Sequence, residues 1–233
     1  MVDTTSSRLT GSRTVAEAAA QLGVTPSRVR SLVASGELPA ERRGRIMLIP
    51  AHAVEARIAL GAVDGRRFTQ ENAWAALLLA SGLSAAWLER RERSRIRRYL
   101  AQHPLASLRA RLASRGRVEE LRVHSGVLPR LREDPALMLT GASASSEFGL
   151  GLVGGPEMVD AYISAANLPA LRERYALRTS RDPNVRLRVV DGEQAALPAE
   201  HVAPLAAVAL DLLDDPEPRL QQAGQAALAR LAK

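Results

Sequence analysis

Apolar residues recur at helical spacing along most of this chain and alternate like a strand in only a few short places. Val15, Ala18, Ala19 and Leu22 mark a first helix, opened by Thr14 with Glu17 as a capping box and stopped at Gly23. Val29, Leu32 and Val33 share one face of a second, capped by Thr25 with Pro26 in first position and ended by Gly36. Ile46 to Ile49, closed by Pro50, is a short strand candidate, with Gly44 at the turn before it. Ala51 to Leu60 is a third helix with Val54 and Ile58 inward, followed by a turn-rich linker from Gly61 to Arg67. Thr69 caps a helix through Leu79 that carries Trp74, Leu77 and Leu78. Ser84 caps another running to Leu100, and Leu105 to Leu112 is a further helix with Leu105, Leu108 and Leu112 inward. Arg117 to Val123 fits a strand, and Val127 to Leu131 a short helix stopped by Asp134 and Pro135.

From Leu137 the texture changes. Leu137 to Leu139 and Met158 to Ser164 predict strands, Thr140 to Gly149 a tightly packed helix, and Leu168 to Tyr175 another helix. After a turn at Arg181 to Asn184, Val185 to Val189 alternates apolar and charged, a half-exposed strand with Arg186 and Arg188 on its outer face, solvated or turned to a nucleic acid or an acidic partner. Two helices close the chain, one with Leu205, Val208 and Leu212 inward, the other with Leu220, Gly224, Ala227, Leu228 and Leu231, separated by Pro216 and Pro218. The expected class is mainly α with small β elements (α+β). It comprises a winged helix-turn-helix over 1–60, an arginine-rich helical segment over 66–132, and a small mixed α/β domain over 133–233 that ends in helices.

The second helix carries the clearest candidate chemistry. Opposite its apolar face lie Ser27, Ser31 and Ala34, flanked by Arg28 and Arg30. Small polar residues let a helix backbone approach a major groove, while guanidiniums reach phosphate or guanine edges. Thr25, at the mouth of that helix, joins the candidate DNA-binding set. So do Arg42, Arg43 and Arg45, which cluster at the hairpin tip where core packing has no use for them and a phosphate backbone does. The run VTPSRVRSLVASGELPA (24–40), followed by RRGR (42–45) and the Ile49-Pro50 pair, resembles the excisionase branch of the MerR-like winged helices. The likeness covers roughly the first 60 residues, and it implies a reader of double-stranded operator DNA. Since one short recognition helix rarely suffices, two copies on an inverted repeat are expected.

Charge sharpens this division. The formal net charge is +7. The acidic residues are concentrated past residue 132, and the basic ones before it. Such polarity points to nucleic acid at one end and a different partner at the other. Arginine supplies every basic residue but Lys233, a bias that fits a GC-rich coding sequence and by itself assigns no site. Between Leu88 and Ile96 the run Glu-Arg-Arg-Glu-Arg-Ser-Arg is either a solvated helix laced by the pairs Glu89–Arg93 and Glu92–Arg95 or a second phosphate-contacting surface.

Other chemistry is thin. There is no cysteine, which excludes disulfides, thiol catalysis and cysteine-ligated zinc. His52, His103, His124 and His201 show no metal-ligand spacing. Gly149, Gly151 and Gly154 spell G-x-G-x-x-G, but neither the strand before nor the helix after that a dinucleotide site needs is expected there, so a glycine-rich connector is the better reading. Asp211, Asp214 and Asp215 have a spacing able to hold a divalent ion, and an enzyme using them is a distant third hypothesis; a helix stop before Pro216 also accounts for them. No catalytic activity, metal or cofactor is expected. The first residues lack the apolar core of a signal peptide, and the run from Ala73 to Leu88 is shorter than the roughly 20 residues of a spanning helix. A cytoplasmic protein without a membrane partner is the expectation.

The C-terminal part has its own resemblance. TGASASSEFGL (140–150), VDAYI (159–163), LRERYAL (171–177), NVRLRVV (184–190) and APLAAVALDLLDDPEPR (203–219) are similar to the AbiEi-type antitoxin regions of bacterial toxin–antitoxin pairs. That family pairs a winged-helix reader with an antitoxin domain, represses its own operon and counteracts a nucleotidyltransferase toxin. The resemblance therefore implies such a toxin as partner. The alternative is a stand-alone transcriptional regulator whose C-terminal part dimerises or senses a ligand.

Overall fold

The computed structural model describes residues 11–34, 38–44, 46–59, 67–152, 158–180, 182–191 and 200–231. It divides into two units, Met1–Asp64 and Gly65–Lys233. The fold is α+β, with a helix-turn-helix in the first unit and small sheets in both.

In the first unit, β1 (Ser12–Thr14) leads into α1 (Val15–Leu22). The capping box forms as the sequence predicts. The Glu17 carboxylate accepts the Thr14 N–H at 2.7 Å, and Thr14 Oγ1 accepts the Glu17 N–H at 3.3 Å. Gly23 ends the helix in the left-handed region at φ 64°, where its N–H reaches the Ala19 and Ala20 carbonyls. Thr25 then caps α2 (Pro26–Ala34), its hydroxyl accepting the Arg28 N–H at 3.2 Å. The chain continues through β2 (Glu41–Arg43) and β3 (Ile46–Pro50) into α3 (Ala51–Ala59). The sheet is antiparallel in the order β1-β3-β2, with Arg42 opposite Met47 and Arg13 opposite Ile49. The sequence gives no sign of β1, because Ser-Arg-Thr has no apolar alternation and is held by pairing to β3 alone. Only Val54 of the expected Val54/Ile58 pair enters the core, and Ile58 is exposed. The expected helix stop at Gly36, the tip residue Arg45 and nearly all of the linker lie outside the described residues.

The second unit is built on a five-stranded sheet. Its strands are β4 (Arg117–Arg122), β5 (Met138–Leu139), β6 (Val159–Ser164), β7 (Arg178–Thr179) and β8 (Val185–Val190), in the order β5-β6-β8-β4-β7. β6 and β8 run parallel and the other pairs antiparallel. Its α-helices are α4 (Gln70–Ala80), α5 (Arg90–Gln102), α6 (Leu128–Arg132), α7 (Leu168–Tyr175), α8 (Leu205–Leu213) and α9 (Pro218–Leu231). α4 is apolar on all sides over Ala73 to Leu78 and is buried there. Its Trp74 donates to the Arg115 carbonyl at 2.8 Å and meets Tyr162 edge-on at 4.7 Å. α8 is buried from Ala206 to Leu213, and α9 lies against it where Gly224 offers no side chain: a Cβ there would stand 2.7 Å from the Ala209 carbonyl oxygen. One hydrophobic core takes residues from both sides of 132, among them Trp74, Leu112, Leu121, Tyr162 and Leu210, so the boundary expected there does not divide the structure.

Several expected elements take other forms. Ser84 caps no helix: Ala85 and Leu88 turn back into the core through a Leu88 N–H to Ala85 carbonyl bond, and α5 begins only at Arg90. Leu105 to Leu112 is a 3₁₀ turn over Leu105–Leu108 followed by irregular turns, although Leu108 and Leu112 are inward as predicted. Thr140 to Gly149 is likewise a 3₁₀ turn over Gly141–Ala144 and then turns. The close approach at its start requires glycine: a Cβ on Gly141, at φ 52°, would stand 2.8 Å from Asp160 Oδ2.

The largest departure concerns β8. Arg186 and Arg188 do not sit on an outer face, because β8 lies between β6 and β4 and this side of the sheet is covered. Arg188 is 3% exposed and clasps Asp160 through Nε and Nη2, both at 3.1 Å, while its Nη1 lies 3.3 Å from Asp211. Arg115 donates to the same Asp211 oxygen at 2.9 and 2.7 Å and also bonds Asp214, which Arg109 engages from the other side. Arg186 bonds Asp215 at 2.8 Å, and Thr140 donates its hydroxyl to Asp211 at 2.6 Å. Burial alone would raise the Asp214 carboxyl, but Arg115 and Arg109 outweigh it and hold the group below its usual range. The three aspartates whose spacing suits a divalent ion are thus each neutralised by guanidinium.

Exchanging one member of a buried pair strands its partner's charge. Asp211→Asn is therefore expected to destabilise the second unit by about 3–5 kcal/mol in denaturant unfolding at neutral pH.

Candidate nucleic-acid interface

The first unit has a small core, and its economy decides which residues face outward. Ala18, Ala19, Val29, Leu32, Leu38, Ile49 and Val54 form the buried cluster. Val29 and Leu32 fix α2 by one side only. Ser27, Arg28, Arg30, Ser31 and Ala34 consequently all lie exposed on the rest of it. Beyond α2, Leu38 is 2% exposed and its N–H bonds the Leu32 carbonyl at 3.0 Å. α2 is thereby seated from below and capped at its start by Thr25. Thr25 is exposed at the helix mouth, with its hydroxyl committed to the cap.

Among the described residues, the Arg28 and Arg30 side chains have no carboxylate partner, so their charge is available to an incoming anion. Arg42 is exposed on the edge strand β2. Arg43 occupies β2 opposite Ile46, and its side chain, like Arg45, falls outside what is described. Gly44 turns between the strands at φ 61°, a left-handed conformation that glycine adopts without strain. The structure so brings Thr25, Ser27, Arg28, Arg30 and Ser31 onto one helix and places Arg42 on the hairpin. It adds Arg13, on the opposite edge strand β1. Sequence reasoning missed that arginine because it missed the strand, and only the pairing of β1 with β3 reveals its place.

A family model described as a helix-turn-helix domain matches residues 14–59, from the cap of α1 to the last residue of α3. The first unit is a helix-turn-helix domain. Such a domain supports DNA binding. No curated protein and no solved structure matches the chain.

The second unit presents a cavity of about 440 Å³ beside the buried ion pairs, lined by Gly141, Asp160, Arg186, Asp215, Glu217 and Arg219 among others. Its buried polar groups are already engaged, Arg186 with Asp215 and Asp160, and Asp211 with Arg115 and Thr140. Gly149 and Gly151 sit at a turn end and just after it, and no described helix leaves them toward a phosphate; Gly154 is outside the described residues. No helix among the described residues is long and apolar enough to cross a membrane.

Leu38 is the test of how α2 is held. Leu38→Ala is expected to cost about 2–5 kcal/mol in the unfolding of the first unit, the range for emptying a buried leucine site. Thermal unfolding followed by amide signals of α1 and α2 measures it.

Proposed function

We propose that the chain is a DNA-binding transcriptional regulator whose helix α2 enters the major groove while the β2–β3 hairpin tracks the adjacent backbone as a wing. The observation that carries this reading is the capped, one-sidedly buried α2, with Ser27, Arg28, Arg30 and Ser31 turned outward and unencumbered. The likeness to excisionase-type winged helices supports the wing, and Arg42 on β2 agrees with it. Two copies on an inverted repeat would supply the contact area that one short helix lacks. The protein acts by binding, with no cofactor.

The finer reading is an antitoxin that represses its own operon and neutralises a nucleotidyltransferase toxin through residues of the second unit. Its support is the likeness of residues 140–219 to AbiEi-type antitoxins and the change of charge along the chain. A stand-alone regulator that senses a ligand or dimerises through the second unit is the rival, and the cavity beside Asp160 and Arg186 favours it. Co-expression with the neighbouring gene separates them: a toxic neighbour relieved by this protein is expected of an antitoxin. A harmless neighbour, or unrelieved toxicity, removes that half of the proposal.

For DNA reading, Arg28→Ala or Arg30→Ala is expected to relax base preference by about 1–3 kcal/mol where the guanidinium bonds a guanine in bidentate fashion. Arg42→Ala is expected instead to weaken binding on every sequence and flatten the salt dependence by about one unit. Fluorescence anisotropy on upstream and scrambled duplexes over a salt series distinguishes the two outcomes. An Arg28→Ala/Arg30→Ala variant with unaltered preference would refute the assignment of α2.

A further inference from the structure

Helix α5 is a charged element whose expected internal neutralisation does not occur. The sequence pairs Glu89 with Arg93 and Glu92 with Arg95, and neither pair forms. The Glu92 carboxylate accepts the Glu89 N–H at 3.4 Å, and Arg93 turns inward to donate to the Leu88 carbonyl. Ile96 is buried, and Tyr99 stacks on His103 while the Arg111 guanidinium lies over its ring at 5.0 Å. One side of α5 is thus fixed to the unit. Arg90, Arg91, Arg95, Arg97 and Arg98 all lie exposed on the other, none with an acidic partner among the described residues.

Spacing turns these five into a surface. Arg91, Arg95 and Arg98 follow one another at i, i+4, i+7, with Arg90 and Arg97 in the adjoining row. From Arg90 to Arg98 the helix rises about 12 Å. Duplex DNA carries about seven phosphate charges over the same length of axis. The contrast with the remainder of the unit is what makes the surface informative. Arg109, Arg115, Arg117, Arg122, Arg174 and Arg188 each hold a carboxylate. Many acids of this unit are committed to those arginines, and α5 concentrates the ones they leave over.

We infer that the outer face of α5 is a second, sequence-independent contact for the phosphate backbone of duplex DNA, belonging to the second unit and additional to the α2 reader. Guanidiniums on a rigid helix suit phosphate oxygens, and the long side chains that surround the one small residue of this face, Ser94, keep the helix backbone from the close approach to base edges that α2 allows. The inference extends the DNA-binding reading, and its own variants isolate it.

Arg91→Ala/Arg95→Ala/Arg98→Ala is made in the full chain beside Arg28→Ala/Arg30→Ala. Binding to the upstream duplex and to a scrambled one is followed by anisotropy over a salt series. The α5 variant is expected to lower the slope of log affinity against log salt by about 2–3 units, roughly 0.9 for every phosphate that is no longer neutralised, equally on both duplexes and with sequence preference kept. The triple lysine variant at the same positions is expected to retain the slope, since charge and not geometry governs the interaction, and unchanged melting of both variants shows that folding is intact. An unaltered slope in the α5 variant while the wild type binds overturns the inference and leaves the α2 reader standing. Preference unaltered in the α2 variant overturns the reader, and the α5 slope is then judged by itself. A wild-type chain that binds neither duplex at low salt overturns both.

Discussion

Arg188 lies at the middle of β8 with an aspartate on either side of its guanidinium, Asp160 from β6 and Asp211 from α8, and Arg115 closes the other side of Asp211. Charges at this depth exist only in company. Taking a guanidinium or a carboxylate out of water costs several kcal/mol, which an ion pair offsets only if its remaining donors and acceptors are also met. Thr140 and the Tyr162 hydroxyl complete the set. Because the partners come from β6, β8, α8 and the turn before β4, this lattice ties the sheet to its covering helix, and strand register is coupled to the position of α8.

The same rule explains what the surface retains. The buried Arg115 and Arg188 hold carboxylates, and Arg117, Arg122 and Arg174 hold them at the surface too, whereas the exposed Arg28, Arg30, Arg91, Arg95 and Arg98 have none among the described residues. The second unit holds most of the acidic residues and commits many of them to its own arginines. In the first unit the core is too small to enclose α2 on more than one side, so Arg28 and Arg30 remain outward and unmatched among the described residues. A net charge of +7 is therefore not a diffuse property of the chain: it is expressed where no carboxylate answers it.

How much of this is legible in the sequence follows the range of the interactions. The helix-turn-helix is readable almost residue by residue, because caps, left-handed stops and apolar periodicity are local: Thr14 with Glu17, Gly23, Thr25 and Pro26 do in the structure what their neighbours imply. Helices α7 to α9 and strands β4, β6 and β8 are legible for the same reason. What escapes is non-local. Strand β1 exists through its partner β3, and the alternation of β8 reads as half-exposed because nothing in Val185 to Val189 reveals that aspartates from β6 and α8 wait above it. Asp211, Asp214 and Asp215 look like an ion site in sequence because their guanidinium partners come from elsewhere in the chain, Arg115 about a hundred residues away. Of the candidate interface, the α2 residues are recognisable from spacing, whereas Arg13 needs the sheet.

Backbone amide chemical shifts of the full chain, followed while its own upstream duplex is titrated in, bear most directly on the central claim that α2 is the DNA-reading element. The largest changes are expected at Thr25, Ser27, Arg28, Arg30 and Ser31, with those of the buried Ala18, Val29 and Val54 smaller. Saturable binding that leaves the amides of Pro26–Ala34 unmoved apart from the proline, which has none, would contradict it.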